Sequence, residues 1–297
     1  MRFEDLLSTY GSTLSMIRSK LDTSLSLADP KNLYMAARRL FSNGKLFRPF
    51  LTLIACEAVG GNINDAIDVA AGIELLHVSS LIHDDILDGA VLRRGKKTVH
   101  LVWGTEMAII AGDLLIGKAM ELITRVNCPE VHKIIAQASI ETCEGEILEM
   151  ELNNSFESIP FKQYQEMIKK KSASLIKTAV ESGALIGGAP RKVVRALSKY
   201  GELIGVSYQI RDDVLDIISH ESVLGKPVKS DFVNKRPNAV LLRMFGGLTE
   251  KKSIVQVQDM AKNIAEKAKE TIETIDIPQQ WKLKMELLAD YVYQRNS

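Results

Sequence analysis

The chain has 297 residues, 46% of them hydrophobic and 25% charged, enough to bury a sizeable core and unlike a disordered or fibrous composition. Thirty-eight basic against 37 acidic side chains leave a formal charge of +1. That balance excludes the broad basic field that gathers nucleic acid or anionic lipid, so any phosphate site must be local.

The opening stretch, MRFEDLLSTYG, carries charges where a secretory leader would be apolar. No uncharged apolar run reaches the roughly eighteen residues of a membrane span. Cys56, Cys128 and Cys143 are far apart and free of CxxC spacing, which argues against a disulfide framework and a zinc site. A soluble, cytoplasmic protein without stable membrane insertion is expected. Helical periodicity then predicts elements at about 30–41, 45–58, 64–88, 107–124, 130–152, 161–187, 192–217, 238–245, 249–275 and 281–295. The third of these is apolar nearly all round, as befits a helix in the middle of a bundle. Strand-like alternation is scarce. Gly60-Gly61, Gly187-Gly188 with Pro190, and Gly246-Gly247 mark helix ends and turns. With no long Pro/Ser-rich linker, the expectation is an all-α chain forming a single domain over 1–297. The one extended polar stretch, from Ser219 to Asn238, has the length of a functional loop or lid.

Three carboxylates, Asp84, Asp85 and Asp88, stand at the end of the most apolar helix, followed by Arg93-Arg94-Gly95. Asp84 and Asp88 share a helical face, where like charges cost about 0.2–0.5 kcal/mol when exposed and more when desolvated. A single DDxxD would pass for a solvated helix terminus, but QIRDDVLD repeats it with Gln209, Asp212, Asp213 and Asp216 on one stripe. Magnesium is held typically by one or two carboxylates plus substrate phosphate oxygens, so two facing clusters suit ions clamped on a diphosphate. Lys45 and Arg48 lie one turn apart in GKLFRP, Arg93 and Arg94 follow the first cluster, and Lys171, Lys226 and Lys235 lie elsewhere. His77, seven residues before Asp84, is on its stripe and could donate to a second phosphate.

With GKLFRP, ELLHVSSLIHDDILDGAVLRRG, AGDLL, Lys171-Ser172-Ala173, YQIRDDVLD, LGK and DYVYQRNS in order, the sequence resembles the all-trans isoprenyl diphosphate synthases of the polyprenyl synthetase family over nearly its whole length. The resemblance implies the isoprenoid synthase fold, ten or more helices around a deep central cavity, and usually a homodimer. It implies that Asp84, Asp85, Asp88, Asp212, Asp213 and Asp216 hold magnesium, three ions with substrate bound, on an allylic diphosphate. It assigns Lys45, Arg48, His77 and Arg94 to isopentenyl diphosphate, and Arg93, Lys171, Ser172, Gln209, Lys226 and Lys235 to the allylic substrate. Asp84, Asp85, Asp88, Lys171 and Asp212 are the expected catalytic groups. The chain departs from the family at Ser172, where Thr is frequent, at His100, where Asn is common, and at Asn234-Lys235, where Gly-Lys is usual.

In the family, aromatic residues four or five positions before the first motif form a floor that stops the product at fifteen carbons. Here those positions are Ser80 and Ser79, with Leu76 and Ile73 deeper, so a product of twenty to twenty-five carbons is expected; the floor itself is expected on another helix, near Met120, or from a partner subunit. A class I terpene cyclase also uses DDxxD, but its usual second motif pairs Asn, Ser/Thr and Glu. A partner subunit of a two-component prenyltransferase would lose catalytic residues, whereas both clusters are intact here.

Overall fold

The computed structural model describes residues 3–26, 28–41, 44–153, 155, 157–219 and 230–295. The all-α expectation holds, with more than ten helices among the described residues. Two helices precede the first predicted one: α1 (Phe3–Thr9) and α2 (Gly11–Ser24). They follow a buried stripe of Leu6, Tyr10, Ile17, Leu21 and Leu25, whose steps of four and seven are helical. After α3 (Lys31–Arg38) come α4 (Phe47–Ala58) and α5 (Ile63–Leu87). Asn62 starts α5 by accepting from the Asn64 N–H at 3.1 Å, an N-cap that satisfies one orphan donor. α5 is long and apolar enough to cross a membrane, yet 72% of its apolar window is buried inside the fold.

A two-residue hairpin, which the periodicity does not predict, follows α5. Strands β1 (Leu92–Arg93) and β2 (Lys96–Lys97) pair antiparallel around Arg94 and Gly95, both at positive φ (52° and 74°). Two left-handed residues in a row make the turn whose twist matches a tight hairpin, and Gly95 enters that conformation without steric cost. Next come α6 (Val99–Trp103), α7 (Thr105–Ile123) and α8 (Pro129–Asn153). The predicted helix over 161–187 divides into α9 (Phe161–Ile168), a π-helical turn (Lys169–Ala173) and α10 (Ser174–Ile186). α11 (Arg191–Ile218), α12 (Ser230–Val233), α13 (Ala239–Phe245), α14 (Glu250–Glu273) and α15 (Gln279–Gln294) complete the order.

α5 packs against α4, α7, α2 and α10 in the main core, while α11 packs against α10, α14 and α15. The first half of α11 contributes Leu197, Tyr200 and Ile204 to that core. Its second half contributes Val206, Ile210, Val214 and Ile217 to a smaller cluster with α9, α13 and the start of α14. Both carboxylate clusters therefore sit near the C-terminal ends of long buried helices. Partial negative charge accumulates there, and neither last turn contains a basic residue. The cations that offset it must come from elsewhere in the fold.

Candidate active site

A cleft of about 190 Å³ opens between those two helix ends, lined by Asp84 and Asp88 of α5, Lys171 and Ser172 of the π turn, and Gln209, Asp212 and Asp213 of α11. Arg93, Glu149, Asp231 and Arg236 complete its polar wall. The structure thus brings together most of the residues that the sequence assigned to one diphosphate. Of the others, Lys226 lies outside the described residues, as does the stretch 220–229 of the expected lid. Lys235 is exposed and held at positive φ (53°), and the neighbouring Arg236 lines the cleft instead.

Each carboxylate meets a different environment. Asp85 is buried and receives Arg93, Nη2 at 2.6 Å and Nε at 2.8 Å on the same oxygen. Its second oxygen is buried without a partner among the described residues. Burial raises the Asp84 carboxyl from 3.8 to about 7; Lys171 opposes this, and Glu146 and Asp88 add to it. Asp88 forms an ion pair with Arg236, and Asp212 one with Arg295 Nη2 at 2.5 Å. Asp213 faces inward: it accepts from Tyr164 Oη (2.6 Å), the Ala239 N–H (2.7 Å) and Gln209 Nε2 (3.0 Å). Burial pushes its carboxyl well above the usual range, Asp231 adds to this, and those three donors oppose it. Asp216 is also buried and accepts from the Asp231 N–H at 3.2 Å. The sequence stripe made these three aspartates equivalent, but the fold gives Asp213 the work of anchoring α13 to α11 and leaves Asp212, 41% exposed, as the open member.

Lys171 reaches the cleft through the π turn. It pairs with Glu146 (2.8 Å) and with Glu149, and Ser172 Oγ donates to Gln209 Oε1 at 2.7 Å. Burial works against the Lys171 charge, but Glu149, Asp84 and Glu146 outweigh it and hold its pKa above the usual value. The turn is possible because α8 carries Gly145 opposite it: a Cβ there would lie 2.3 Å from the Lys171 nitrogen. π-helical turns inside helices are frequent at functional sites. We expect Gly145→Ala to destabilise the protein by about 1–3 kcal/mol in urea unfolding, as overpacking does. At an open helical position the same change would stabilise by about 1 kcal/mol, so the sign reports the close approach.

A second, basic constellation lies beside the cleft. The hairpin sends Arg93 to Asp85 and turns Arg94 the other way, where it donates to the Leu40 carbonyl. Leu46, buried and left-handed (φ 52°), is a strained entry to α4 between Lys45 and Arg48. Burial lowers the Arg48 pKa; Tyr208, Glu74 and Asp212 oppose this and Arg94 adds to it. The Arg48 Nε is buried with no partner among the described residues. Burial, with Arg48, Arg94 and Arg93 close by, holds His77 well below its usual pKa, so the imidazole is neutral at pH 7. Glu74 is a buried carboxylate that both Arg48 and Arg94 face, and it offsets only part of their charge. Such a pocket favours an anion.

Sequence reasoning missed Glu74, Glu146, Glu149, Tyr164, Tyr208, Arg236 and Arg295. Arg295 is the least expected: its guanidinium is 4% exposed, lies 3.6 Å over the Tyr208 ring and donates to the Tyr208 carbonyl at 3.1 Å. The pKa of nearby Lys45 is lowered by burial first and by Arg295 second, and Asp212 opposes both. Among the described residues no three carboxylate, histidine or cysteine side chains converge on a point as a closed metal cage would require. The donors present, the carboxyl groups of Asp84, Asp88 and Asp212 lining the cleft and an unsatisfied buried oxygen on neighbouring Asp85, fit an ion that keeps waters and takes the rest of its ligands from phosphate. A larger groove of about 530 Å³ between α2 and α7 has Lys20 paired with Asp68 and Lys118 and Arg125 paired with Glu121, and carries none of these motifs.

The sequence profile of the Polyprenyl synthetase family matches residues 30–276. A short chain isoprenyl diphosphate synthase of Methanothermobacter thermautotrophicus is 40% identical over 256 residues, 84% of this chain and 78% of that one. The crystal structure of a geranylgeranyl pyrophosphate synthetase from Pyrococcus horikoshii superposes with a TM-score of 0.91 at 34% identity, covering 99% of each chain. A polyprenyl synthase from Caulobacter crescentus, complexed with calcium and isoprenyl diphosphate, superposes with a TM-score of 0.91 at 28% identity over 99% of this chain and 98% of that one.

Proposed function

The chain belongs to the polyprenyl synthetase family and is a prenyltransferase that elongates prenyl chains; on that premise we propose that it joins isopentenyl diphosphate to an allylic diphosphate by magnesium-dependent ionisation, condensation and elimination, with products of twenty to twenty-five carbons. The carrying observation is the division of charge: an acidic cleft between two helix ends, and beside it a basic pocket around the half-buried Arg48, whose Nε is buried. A terpene cyclase has one diphosphate to hold and no use for the second pocket.

In this reading Asp84, Asp88 and Asp212 would hold magnesium, three ions with substrate bound, which would supply positive charge beside the departing diphosphate. Arg93 and Lys171 face the same diphosphate, and Ser172 and Gln209 orient the Lys171 turn through their 2.7 Å hydrogen bond. The allylic carbon–oxygen bond breaks with its electron pair leaving on pyrophosphate. The double bond of isopentenyl diphosphate, held by Lys45, Arg48, Arg94 and His77, then forms the new carbon–carbon bond. A proton is lost to the released pyrophosphate, so no side-chain base is needed. Apolar helix walls keep water from the cation. A homodimer is also part of the reading, supported by Leu101 and Val102 of α6 and Ile109, Ile110 and Ile116 of α7, all exposed on one chain.

The test is incubation with labelled isopentenyl diphosphate and allylic primers of several lengths, followed by sizing of the products. Label in chains of twenty to twenty-five carbons is expected, and no elongation of any primer would overturn the reading. Within it, Lys45→Ala and Arg48→Ala should raise KM for isopentenyl diphosphate by roughly tenfold to a hundredfold, the loss of a charge-assisted contact worth about 1.5–3 kcal/mol. His77→Ala should cost less, about 0.5–1.5 kcal/mol, because the imidazole is neutral. Equal weakening of the allylic substrate in all three would refute the division of sites.

A further inference from the structure

The two arginines paired with Asp212 and Asp88 are held differently. Arg295 is fixed on Asp212 by an aromatic face and a backbone carbonyl. The guanidinium of Arg236 is set among carboxylates: it pairs with Asp88, and Glu149 and Asp231 act on its charge. Its backbone is well placed, since its N–H donates to the Asp231 carbonyl at 2.7 Å and Pro237 and Asn238 beside it are buried. Asn238 is tied down further by donating to the Asp213 carbonyl (3.1 Å) and Asp231 Oδ2 (2.9 Å). A charged side chain on a fixed stem thus reaches across the mouth of the cleft to the last carboxylate of α5, which is 13% exposed and lies at the negative helix end.

We infer that Arg236 is a positioning residue that occupies Asp88 as an internal counter-cation, so that a divalent cation enters the first cluster by displacing it and the released guanidinium becomes available to the diphosphate. The inference rests on the metal-binding reading above. A cation held by Asp84 and Asp88 would have to take the carboxylate that Arg236 holds, and this exchange would weaken metal binding while the site holds no diphosphate. Once displaced, Arg236 stands in a cleft with Arg93 and Lys171 where its charge favours an anion. Metal and diphosphate each then improve the binding of the other, and by linkage the coupling is the same in both directions.

The experiment titrates Mn²⁺ into the substrate-free protein and into the protein with inorganic pyrophosphate, following the free ion by electron paramagnetic resonance. Arg236→Gln should bind Mn²⁺ alone roughly three- to tenfold more tightly than wild type, the range expected for losing one partly exposed ion pair. Its gain from pyrophosphate should be correspondingly smaller. Arg236→Lys, which keeps the charge but not the fork, should bind Mn²⁺ more tightly than wild type and less tightly than Arg236→Gln, and it carries the comparison if the glutamine variant does not fold. Unchanged or weaker Mn²⁺ binding by Arg236→Gln, or by Arg236→Lys relative to wild type where that variant stands in, would overturn the inference. Wild-type protein that binds no Mn²⁺ even with pyrophosphate would instead overturn the metal reading on which it rests.

Discussion

Asp84→Asn and Asp212→Asn should each lower turnover by at least about a hundredfold to a thousandfold, as loss of a group that stabilises developing charge does, while moving stability in opposite directions. Burial first, with Glu146 and Asp88 adding to it against Lys171, raises the Asp84 carboxyl from 3.8 to about 7 in the folded chain. A carboxyl raised by folding binds its proton more tightly in the folded state, so its ionisation costs stability as pH rises from about 4 to 7. The neutral amide removes that cost. Asp84→Asn should therefore unfold at higher urea concentration than wild type at pH 7.5, with the difference fading toward pH 4. Asp212 does the reverse, because it is the carboxylate partner of Arg295, whose guanidinium is 4% exposed. Asp212→Asn should lose about 1–2 kcal/mol, discounted for an aspartate that is 41% exposed. Pyrophosphate release at limiting magnesium measures the first effect and urea unfolding the second. Turnover above a tenth of wild type in either variant would remove that aspartate from the catalytic set.

The division between what the sequence could and could not say follows the range of the interactions. The unbroken apolar content of α5 and the i, i+4 spacing of Asp84 and Asp88 are local, and by themselves they place the first cluster at the end of a buried helix. The same spacing rule treats Asp212, Asp213 and Asp216 as one set. Only the contacts of Tyr164 and Ala239, both far along the chain, turn Asp213 into an anchor. The π turn that presents Lys171 has no periodic signature of its own, since it depends on the contact with Gly145. Glu146 and Glu149 read as a polar helix face until α8 lies against that turn. Family resemblance assigns Arg93 and Arg94 to different sites; in the fold the hairpin, with its left-handed Arg94-Gly95 pair, sends one side chain to Asp85 and the other to the Leu40 carbonyl, contacts that no local pattern shows. The stripe of Leu6, Tyr10, Ile17, Leu21 and Leu25 was legible in principle, but the serines, threonines and charges between its members dilute it.

Product length should change with Ser80 and not with Ser79, although the sequence offered the two as equals. Ser80 lies four residues before Asp84, about 6 Å down the helix on the same face, and is half-buried with its hydroxyl donating to the His77 carbonyl at 2.9 Å. Leu81, next to it, lines the cleft itself. A growing chain whose diphosphate sits at Asp84 and Asp88 would pass Ser80 and reach toward Leu76 and Ile73. Ser79 points to the other side: it is buried and donates to the Gly112 carbonyl of α7 at 2.9 Å. A phenyl ring at Ser80 fills space along the stripe while the carboxylates stay in place, so Ser80→Phe should shorten the main product by at least one five-carbon unit and leave the first condensation near the wild-type rate. A phenyl ring at Ser79 has to displace the α7 backbone, so Ser79→Phe should show its effect as a loss of about 1–3 kcal/mol of stability, the ordinary cost of overpacking. Sizing of labelled products from the two variants, with urea unfolding of each, separates the outcomes. A wild-type enzyme that stops at fifteen carbons, or a Ser80→Phe variant whose products keep their length, would place the floor of the cavity above this stripe or on another helix.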